Sequence, residues 1–524
     1  MSSGTPSTIE KKASVKNGVG RMVFAVISIL LELTLILLLF TILNRHAEWI
    51  NLMTRLFSIV LVLVIYAQKK TSSIKMPWVM LIMAFPIFGV ALYLLIGLDG
   101  STRKMRERYE AIDKRLFPLL PSNAEVHEKL AQQDPGAAGI ASYIRRFAHY
   151  PAYQNTDVTY YDDAAKGIAA QLEDLSKAQH FIFMEYHAIE DAESWQKIQA
   201  VLEERVKNGV KVRVFYDDMG SIGFINTDFV KRLAAVGIDC RVFNPLAPVL
   251  NLFLNNRDHR KITVIDGVIG YTGGYNIANE YFNLTHPYGE WKDTGIRLEG
   301  EAVKSLTVTF LEMWNAVKDT DNAEDDKRFR HYLPPVRHTA SGDGFVIPYA
   351  DSPMDDIHVG EDVYISIVEN ARSYAWFITP YLIITDEMAH AFSLAARRGV
   401  DVRIITPGIP DKKIVYAVTR SYYNMLAANG VRIYEWTPGF CHAKMCVSDD
   451  KISTCGTINL DYRSLYHHFE NGCLLINMQA VKDTKEDFER TMQQCREVTQ
   501  QYASGRGAFL RLGQLILRLF AALM

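Results

Sequence analysis

His259-Arg260-Lys261-Ile262-Thr263-Val264-Ile265-Asp266, followed after six residues by Gly273-Gly274-Tyr275-Asn276, is a pattern this chain contains twice. The second copy is His442-Ala443-Lys444-Met445-Cys446-Val447-Ser448-Asp449, and six residues again separate its Asp from Gly456-Thr457-Ile458-Asn459. Repetition at matched spacing is a statement about whole domains and takes precedence over local propensity. Alternation through 261–265 and 444–448 predicts a strand, which puts His and Lys, two apart, on one face. The Gly-Gly and Gly-Thr pairs predict a turn where backbone approaches a ligand, and each Asn adds a neutral donor. One imidazole, one ammonium and one amide per copy describe half of an anion site with a nucleophile in it.

The repeat continues outward from the motifs. Lys207-Asn208-Gly209-Val210-Lys211-Val212-Arg213-Val214 matches Arg397-Arg398-Gly399-Val400-Asp401-Val402-Arg403-Ile404 almost position for position. In the first half, His180 to Tyr186 reads as a strand, Ser194 to Asn208 as a helix and Val210 to Tyr216 as a strand. A helix through Lys231 to Val236 and a strand from Cys240 to Phe243 follow. The second half repeats the order: strand Tyr374 to Thr379, helix Glu387 to Arg398, strand Gly399 to Ile405, helix Arg420 to Asn429, strand Val431 to Trp436. The predicted fold class is therefore α/β with substantial parallel character, in two tandem pseudo-symmetric domains, 142–335 and 336–505.

The ends are different in kind. Residues 1–20 are polar and read as a disordered tail. Met22 to Leu43 is apolar except for Glu32, long enough for a bilayer core that needs roughly 20 helical residues. Leu56 to Ala67 is a shorter apolar run. Met76 to Gly97 is an uncharged one that holds Pro86 and Gly89, so it spans with a kink or dips in and returns. Residues 21–98 are thus expected to form a membrane anchor of two or three transmembrane helices, with 99–141 as a linker. If all three segments cross, Lys69, Lys70 and Lys75 lie opposite Arg103, Lys104, Arg106 and Arg108, a conflict in the positive-inside signal. The denser second cluster places the remaining chain in the cytoplasm. So do six cysteines without a C-x-x-C pair, which favour reduced thiols. The expected location is the cell membrane, multi-pass, with the catalytic domains on the cytoplasmic side. In 506–524, Phe509, Leu512, Ile516, Leu519 and Leu523 face away from Arg511, Gln514 and Arg518. That suits an amphipathic helix on anionic lipid, with packing back on its own domain as the alternative. A net charge of -2, with an acidic loop at 319–326, argues against a nucleic-acid partner, whose binders are basic.

Exchange at a phosphodiester needs an attacking group, a proton donor for the departing alcohol, and positive charge around the non-bridging oxygens. Two motif copies facing one another supply His259 and His442, with Lys261, Lys444, Asn276 and Asn459 as an electrostatic cradle. A nucleophilic histidine must be neutral and held in one tautomer by an acid on its other nitrogen. Asp293, in Trp291-Lys292-Asp293-Thr294-Gly295, and Glu470, in Phe469-Glu470-Asn471-Gly472, are the candidates. Asp266 and Asp449 complete the candidate catalytic set, and their place at the far end of each strand also suits a structural role. Gly274 and Thr457 stand where backbone meets the phosphate. The lysines supply the charge that Mg²⁺ gives other phosphoryl-transfer enzymes, so no metal is called for. No G-x-x-x-x-G-K-[ST] loop points to a nucleotide, and no cofactor is expected.

These residues resemble the phospholipase D superfamily, marked by two His-x-Lys-x4-Asp motifs with Gly-Gly/Ser/Thr-x-Asn after each. Within it they are similar to bacterial cardiolipin synthases, through Glu185-Tyr186, Tyr216-Asp217-Asp218-Met219-Gly220-Ser221, Asn256-Arg257-Asp258, Thr379-Pro380-Tyr381 and Asn459-Leu460-Asp461-Tyr462-Arg463-Ser464. Phe85-Pro86-Ile87-Phe88-Gly89 with Leu92-Tyr93 extends the likeness into the membrane region. The resemblance implies two tandem domains with mixed sheets. It implies condensation of two phosphatidylglycerol molecules into cardiolipin and glycerol through a phosphatidyl-histidine. One of His259 and His442 attacks the first lipid, and the other protonates the leaving glycerol and then activates the incoming hydroxyl. In the family the first motif, here His259, usually provides the nucleophile. His468 departs from the family, which more often has Asn there, and the departure bears on the acceptor pocket. The competing readings are a superfamily phosphatidyltransferase or phospholipase with another acceptor, a nuclease, and a non-catalytic lipid scaffold.

Overall fold

The computed structural model describes residues 16–46, 48–69, 71–94, 100–246, 255–317, 327–504 and 517–518. Most of the 1–20 tail, the acidic stretch 319–326 and most of the 506–524 helix lie outside the described residues.

Each half builds one twisted sheet with the motif strand near its middle. In the first, the strands run in the order Thr156–Tyr161, Gly295–Gly300, Ile269–Gly273, Lys261–Ile265, Phe181–Tyr186, Lys211–Asp217, Asp239–Phe243. The second repeats that order: Phe345–Asp351, His468–Ile476, Ile452–Gly456, Met445–Ser448, Tyr374–Ile378, Asp401–Pro407, Arg432–Trp436, with Cys495–Glu497 added at the edge. The three strands joined by helical crossovers are parallel, as short strand-helix alternation dictates. The motif strand itself is antiparallel to its neighbours on both sides, so the sheets are mixed. The helix expected from Arg420 begins earlier, covering Lys413–Ala427.

The two sheets do not stand apart. A single apolar cluster runs from Phe183 and Val264 of the first sheet, through Phe310 and Trp314, to Val447 and Leu475 of the second. The stretch expected as a linker is helical from Gly100 to Leu116, and its Tyr109, Ile112 and Leu116 enter the same cluster. Leu517 packs on the second domain's core and Arg518 lies over the Tyr422 ring, 4.3 Å from its centroid.

At the start of the chain lie α1 (Lys16–His46), α2 (Glu48–Ala67), α3 (Ser72–Ala84) and α4 (Pro86–Leu92). Among the described residues no helix is long and apolar enough to cross a membrane. The side chains of 39–51 lie outside the described residues. Large apolar side chains along both helices are exposed, Phe24, Leu31, Leu63 and Tyr66 among them.

At the far end of each motif strand stands its aspartate. Asp266 accepts the backbone N–H groups of Gln179, His180 and Phe181 at 2.7–2.8 Å. Asp449 does the same for Arg372, Ser373 and Tyr374 at 2.7–2.9 Å. Both sit in the left-handed region, φ 53° and 52°, which Asp tolerates better than most residues. Each ties the turn after its strand to the start of the neighbouring one. Asp266→Ala removes three bonds to a charged acceptor and is expected to cost about 3 kcal/mol or more. A thermal melt in detergent checks this, with a fall of roughly 5–10 °C for a domain of this size.

Candidate active site

Two short parallel pairings join the halves at the site. Arg257–Asp258 pairs with His468–Phe469, and Glu290–Lys292 pairs with Gly439–Cys441. The backbone N–H of His259 donates to the Phe469 carbonyl at 2.9 Å, and that of His442 to the Lys292 carbonyl at 2.8 Å. Each histidine is thus carried into the other half by its own backbone.

That exchange sets the side chains. His259 Nδ1 lies 2.9 Å from both carboxylate oxygens of Glu470, and His442 Nδ1 lies 2.7 Å from Asp293 Oδ2. Each imidazole is paired with the acid of the opposite repeat. With Nδ1–H donated to the acid, Nε2 is left as the basic nitrogen. Both histidines line one cavity of about 980 Å³, with Asn276, Asn459, Tyr281, Trp291 and Tyr381. The lysines lie beside their histidines: Lys261 Nζ donates to the His259 carbonyl at 2.6 Å, and Lys444 Nζ to that of His442.

The small residues of the motif are explained by crowding. A Cβ on Gly273 would lie 2.4 Å from the Thr294 carbonyl oxygen, and one on Gly456 2.4 Å from that of Asn471. A Cβ on Gly274 would meet Asp293 Oδ1 at 2.0 Å, so only glycine lets the acid reach His442. In the second half the equivalent Thr457 donates its hydroxyl to Glu470. Asn276 is engaged at both ends, accepting from the Ala188 N–H at 3.1 Å and donating to the Tyr281 hydroxyl at 2.8 Å. Among the described residues, Asn459 Oδ1 is buried without a hydrogen-bond partner. Asp266 and Asp449, counted with the catalytic set, are held at the opposite end of their strands by backbone amides. Their placement is structural.

Burial and charge act together on the titrating groups. Burial, then the ammonium groups of Lys261 and Lys444, hold His259 well below the ordinary imidazole range. Burial and Lys444 take His442 down to about 3. Burial also lowers Lys261 to about 7 and Lys444 to about 8, against the pull of the carboxylates. Burial raises Asp293, but His442 and Lys444 outweigh it and hold the carboxyl down. The cavity therefore holds neutral imidazoles and easily discharged ammonium groups, an arrangement an incoming phosphate reverses by favouring every positive form.

The two sides of the cavity differ in ways the motif repeat does not announce. His259 stands between two further imidazoles, His187 at 5.0 Å and His468 at 5.4 Å between ring centroids. His442 is surrounded by Tyr281, Trp291 and Phe440. His259, His468 and Glu470 bring ligand-type atoms within 4.8 Å of one another. Arg463 Nε donates to His468 Nε2 at 3.2 Å, which fixes the proton on Nδ1, the nitrogen facing Glu470 at 3.5 Å. Nδ1 approaches Glu470 without forming a hydrogen bond, and Arg463 occupies the lone pair of Nε2. Nothing in the sequence marked His187, whereas His468 stood out by departing from the family pattern.

Glu470→Gln and Asp293→Asn keep the shape of each pair but favour the wrong tautomer. Each is expected to lower phosphodiester turnover about 10³- to 10⁴-fold, as loss of the orienting acid does in other histidine dyads. Steady-state rates, with imidazole ¹⁵N shifts reporting the tautomer, check it.

The family profile described as "Cardiolipin synthase, PLD-like domain" matches residues 172–314 and 364–492. One described as "Phospholipase_D-nuclease N-terminal" matches 56–97. An uncharacterized protein of Streptococcus mutans is 40% identical over 87% of this chain and 98% of its own. A cardiolipin synthase of Halalkalibacterium halodurans is 30% identical over 88% of this chain and 91% of its own. Among solved structures, the phosphatidylserine synthase of Haemophilus influenzae shares the fold, with a TM-score of 0.54 at 15% identity over 73% of this chain and 98% of its own. With two intact half-sites assembled into one cavity and a profile match across both domains, the chain belongs to the cardiolipin synthase family of phospholipase D-like proteins.

Proposed function

We propose that this protein is a phosphatidyltransferase that converts two phosphatidylglycerol molecules into cardiolipin and glycerol through a phosphatidyl-histidine. The observation that carries this reading is the pair of neutral imidazoles, each held by the opposite repeat's acid, at one cavity. His259 Nε2 attacks phosphorus of the first lipid, the bond from phosphorus to the glycerol headgroup oxygen breaks, and His442 gives that oxygen a proton. His442 is neutral in the free protein, so it takes this proton from solvent as the phosphate settles between the lysines. Its pairing with Asp293 then stabilises the imidazolium. A hydroxyl of the second phosphatidylglycerol loses its proton to His442 and attacks phosphorus, displacing His259. Lys261, Lys444 and Asn459 hold the non-bridging oxygens, and Gly274 and Thr457 shape the acids' approach. The aromatic wall of Tyr281, Trp291 and Tyr381 keeps water from the covalent stage.

The same reading makes the N-terminal helices a membrane anchor, with both catalytic domains on the cytoplasmic face. A diacyl substrate leaves the bilayer at roughly 0.8 kcal/mol per CH₂ withdrawn, so the site must come to the lipid. The exposed apolar side chains of α1 and α2 support this, and no nucleic-acid partner is part of it.

His259→Ala and His442→Ala are each expected to abolish both glycerol release and cardiolipin formation from labelled phosphatidylglycerol. Product analysis reads this, and formation of phosphatidic acid by the unaltered protein would instead point to water as the acceptor. The pH dependence has a stated sign. Lys261 and Lys444 are charged below about 7 and 8 and lose their protons above. KM for the anionic lipid is therefore expected to rise as pH increases from about 7 to 9. The acid limb of kcat/KM should lie well below the usual histidine range, because both imidazoles of the free protein stay neutral there. A pH profile of kcat and KM measures both limbs.

A further inference from the structure

The segment containing Pro86 folds back on itself. A Cβ on Gly89 would lie 2.6 Å from the Ile82 Cα, so α3 and α4 meet backbone to backbone. Gln68 Nε2, just past α2, donates to the Tyr93 hydroxyl at 2.7 Å, and Tyr93 packs edge-on against Trp78 at 5.2 Å. Lys75 Nζ, in the first turn of α3, donates to the carbonyls of Tyr66 and Gln68 at 3.2 and 3.1 Å. The end of α2, the start of α3 and the end of α4 therefore share one level. Phe85, 63% exposed, marks the tip of the hairpin. Thirteen residues of α3 rise about 20 Å, short of the roughly 30 Å hydrocarbon core. A re-entrant hairpin of this kind leaves Lys69, Lys75 and the basic start of the helix at Gly100–Leu116 on one side, which removes the conflict in the charge signal.

Two boundaries between polar and apolar chain touch the cavity mouth. Arg21, immediately before the apolar run of α1, pairs with Asp218 at 2.8 Å, and the next residue, Met219, lines the cavity. Ser73, at the start of α3, lies beside the hydroxyl of Tyr462, another lining residue, and Ile74 packs on the second domain's core. Around that mouth Met219, Ile409 and Ile414 are exposed by 38%, 39% and 63%. Lys412 and Lys413 stand beside them at the cavity.

We propose that Met219, Ile409 and Ile414, collared by Lys412 and Lys413, form a rim that docks into the anionic bilayer face from which α1 and α3 emerge. Phosphatidylglycerol then enters the cavity by lateral movement from the leaflet, without passing through water. This inference rests on the membrane-anchor reading. The apolar side chains reach the boundary of headgroups and acyl chains, and the two ammonium groups meet lipid phosphates.

The test uses the full chain in vesicles of phosphatidylglycerol and phosphatidylcholine. Ile409→Asp, outside the cavity lining, is expected to lower turnover of long-chain phosphatidylglycerol in the bilayer about tenfold. Its kcat/KM on monomeric dihexanoyl-phosphatidylglycerol should stay within about twofold. Equal loss on both substrates overturns the proposal, as does no loss on vesicles. Independently, the indole of Ile414→Trp is expected to be quenched by lipids brominated near the headgroup. An unquenched indole in a protein that floats with the vesicles overturns the rim alone, whereas failure of the unaltered protein to float overturns the anchor reading and the rim together.

Discussion

The interaction on which the rest of the structure depends is the reciprocal pairing of each imidazole with the other repeat's acid. His259 meets Glu470 across 211 residues of chain and His442 meets Asp293 across 149. Such pairs hold only if the two sheets are locked in one relative position. The shared apolar cluster from Phe183 to Leu475 and the two parallel strand pairings at the site provide that lock. Neither half has a complete dyad by itself. The pseudo-symmetry is thus a requirement of the chemistry, because a phosphorus flanked by two imidazoles needs one from each side.

Burial gives the site its charge state. Two ammonium groups and two imidazoles buried at one cavity cannot all be positive, and the cheapest response is for the imidazoles to stay neutral and the lysines to loosen their protons. Neutral Nε2 is what a nucleophile requires. The same crowding makes the cavity receptive to an anion, since a phosphate relieves the repulsion and lets the protons return. His259 has two further imidazoles beside it, one of them held by Arg463, whereas His442 is walled by aromatic rings, so two motifs that are nearly identical in sequence face unlike surroundings.

The aspartates carry a general lesson about motif residues. Asp266 and Asp449 recur at the same spacing as the histidines and lysines, which invites a catalytic reading. Their carboxylates instead gather three backbone amides each, at the strand end remote from the cavity. They hold the strand that aims the imidazole. The glycines likewise serve by what they leave out, Gly274 by admitting Asp293 and Gly89 by letting two helices touch.

The spacing of His, Lys, Gly and Asn, read alone, was enough to expect two α/β repeats, with most of the elements named in each placed to within a few residues and one helix starting seven residues early, and to bring both copies to one cavity. These are properties of local periodicity and of residue chemistry, which survive in one dimension. Which acid serves which histidine was not legible, because Asp293 and Glu470 each lie downstream of their own motif and only packing carries them across to the other. The same holds for His187 beside His259, while of the two courses open to the Pro86 segment only packing chose the return. A linear sequence states the distance along the chain between two groups, and the distance through space is decided by how sheets, helices and apolar surfaces close upon one another.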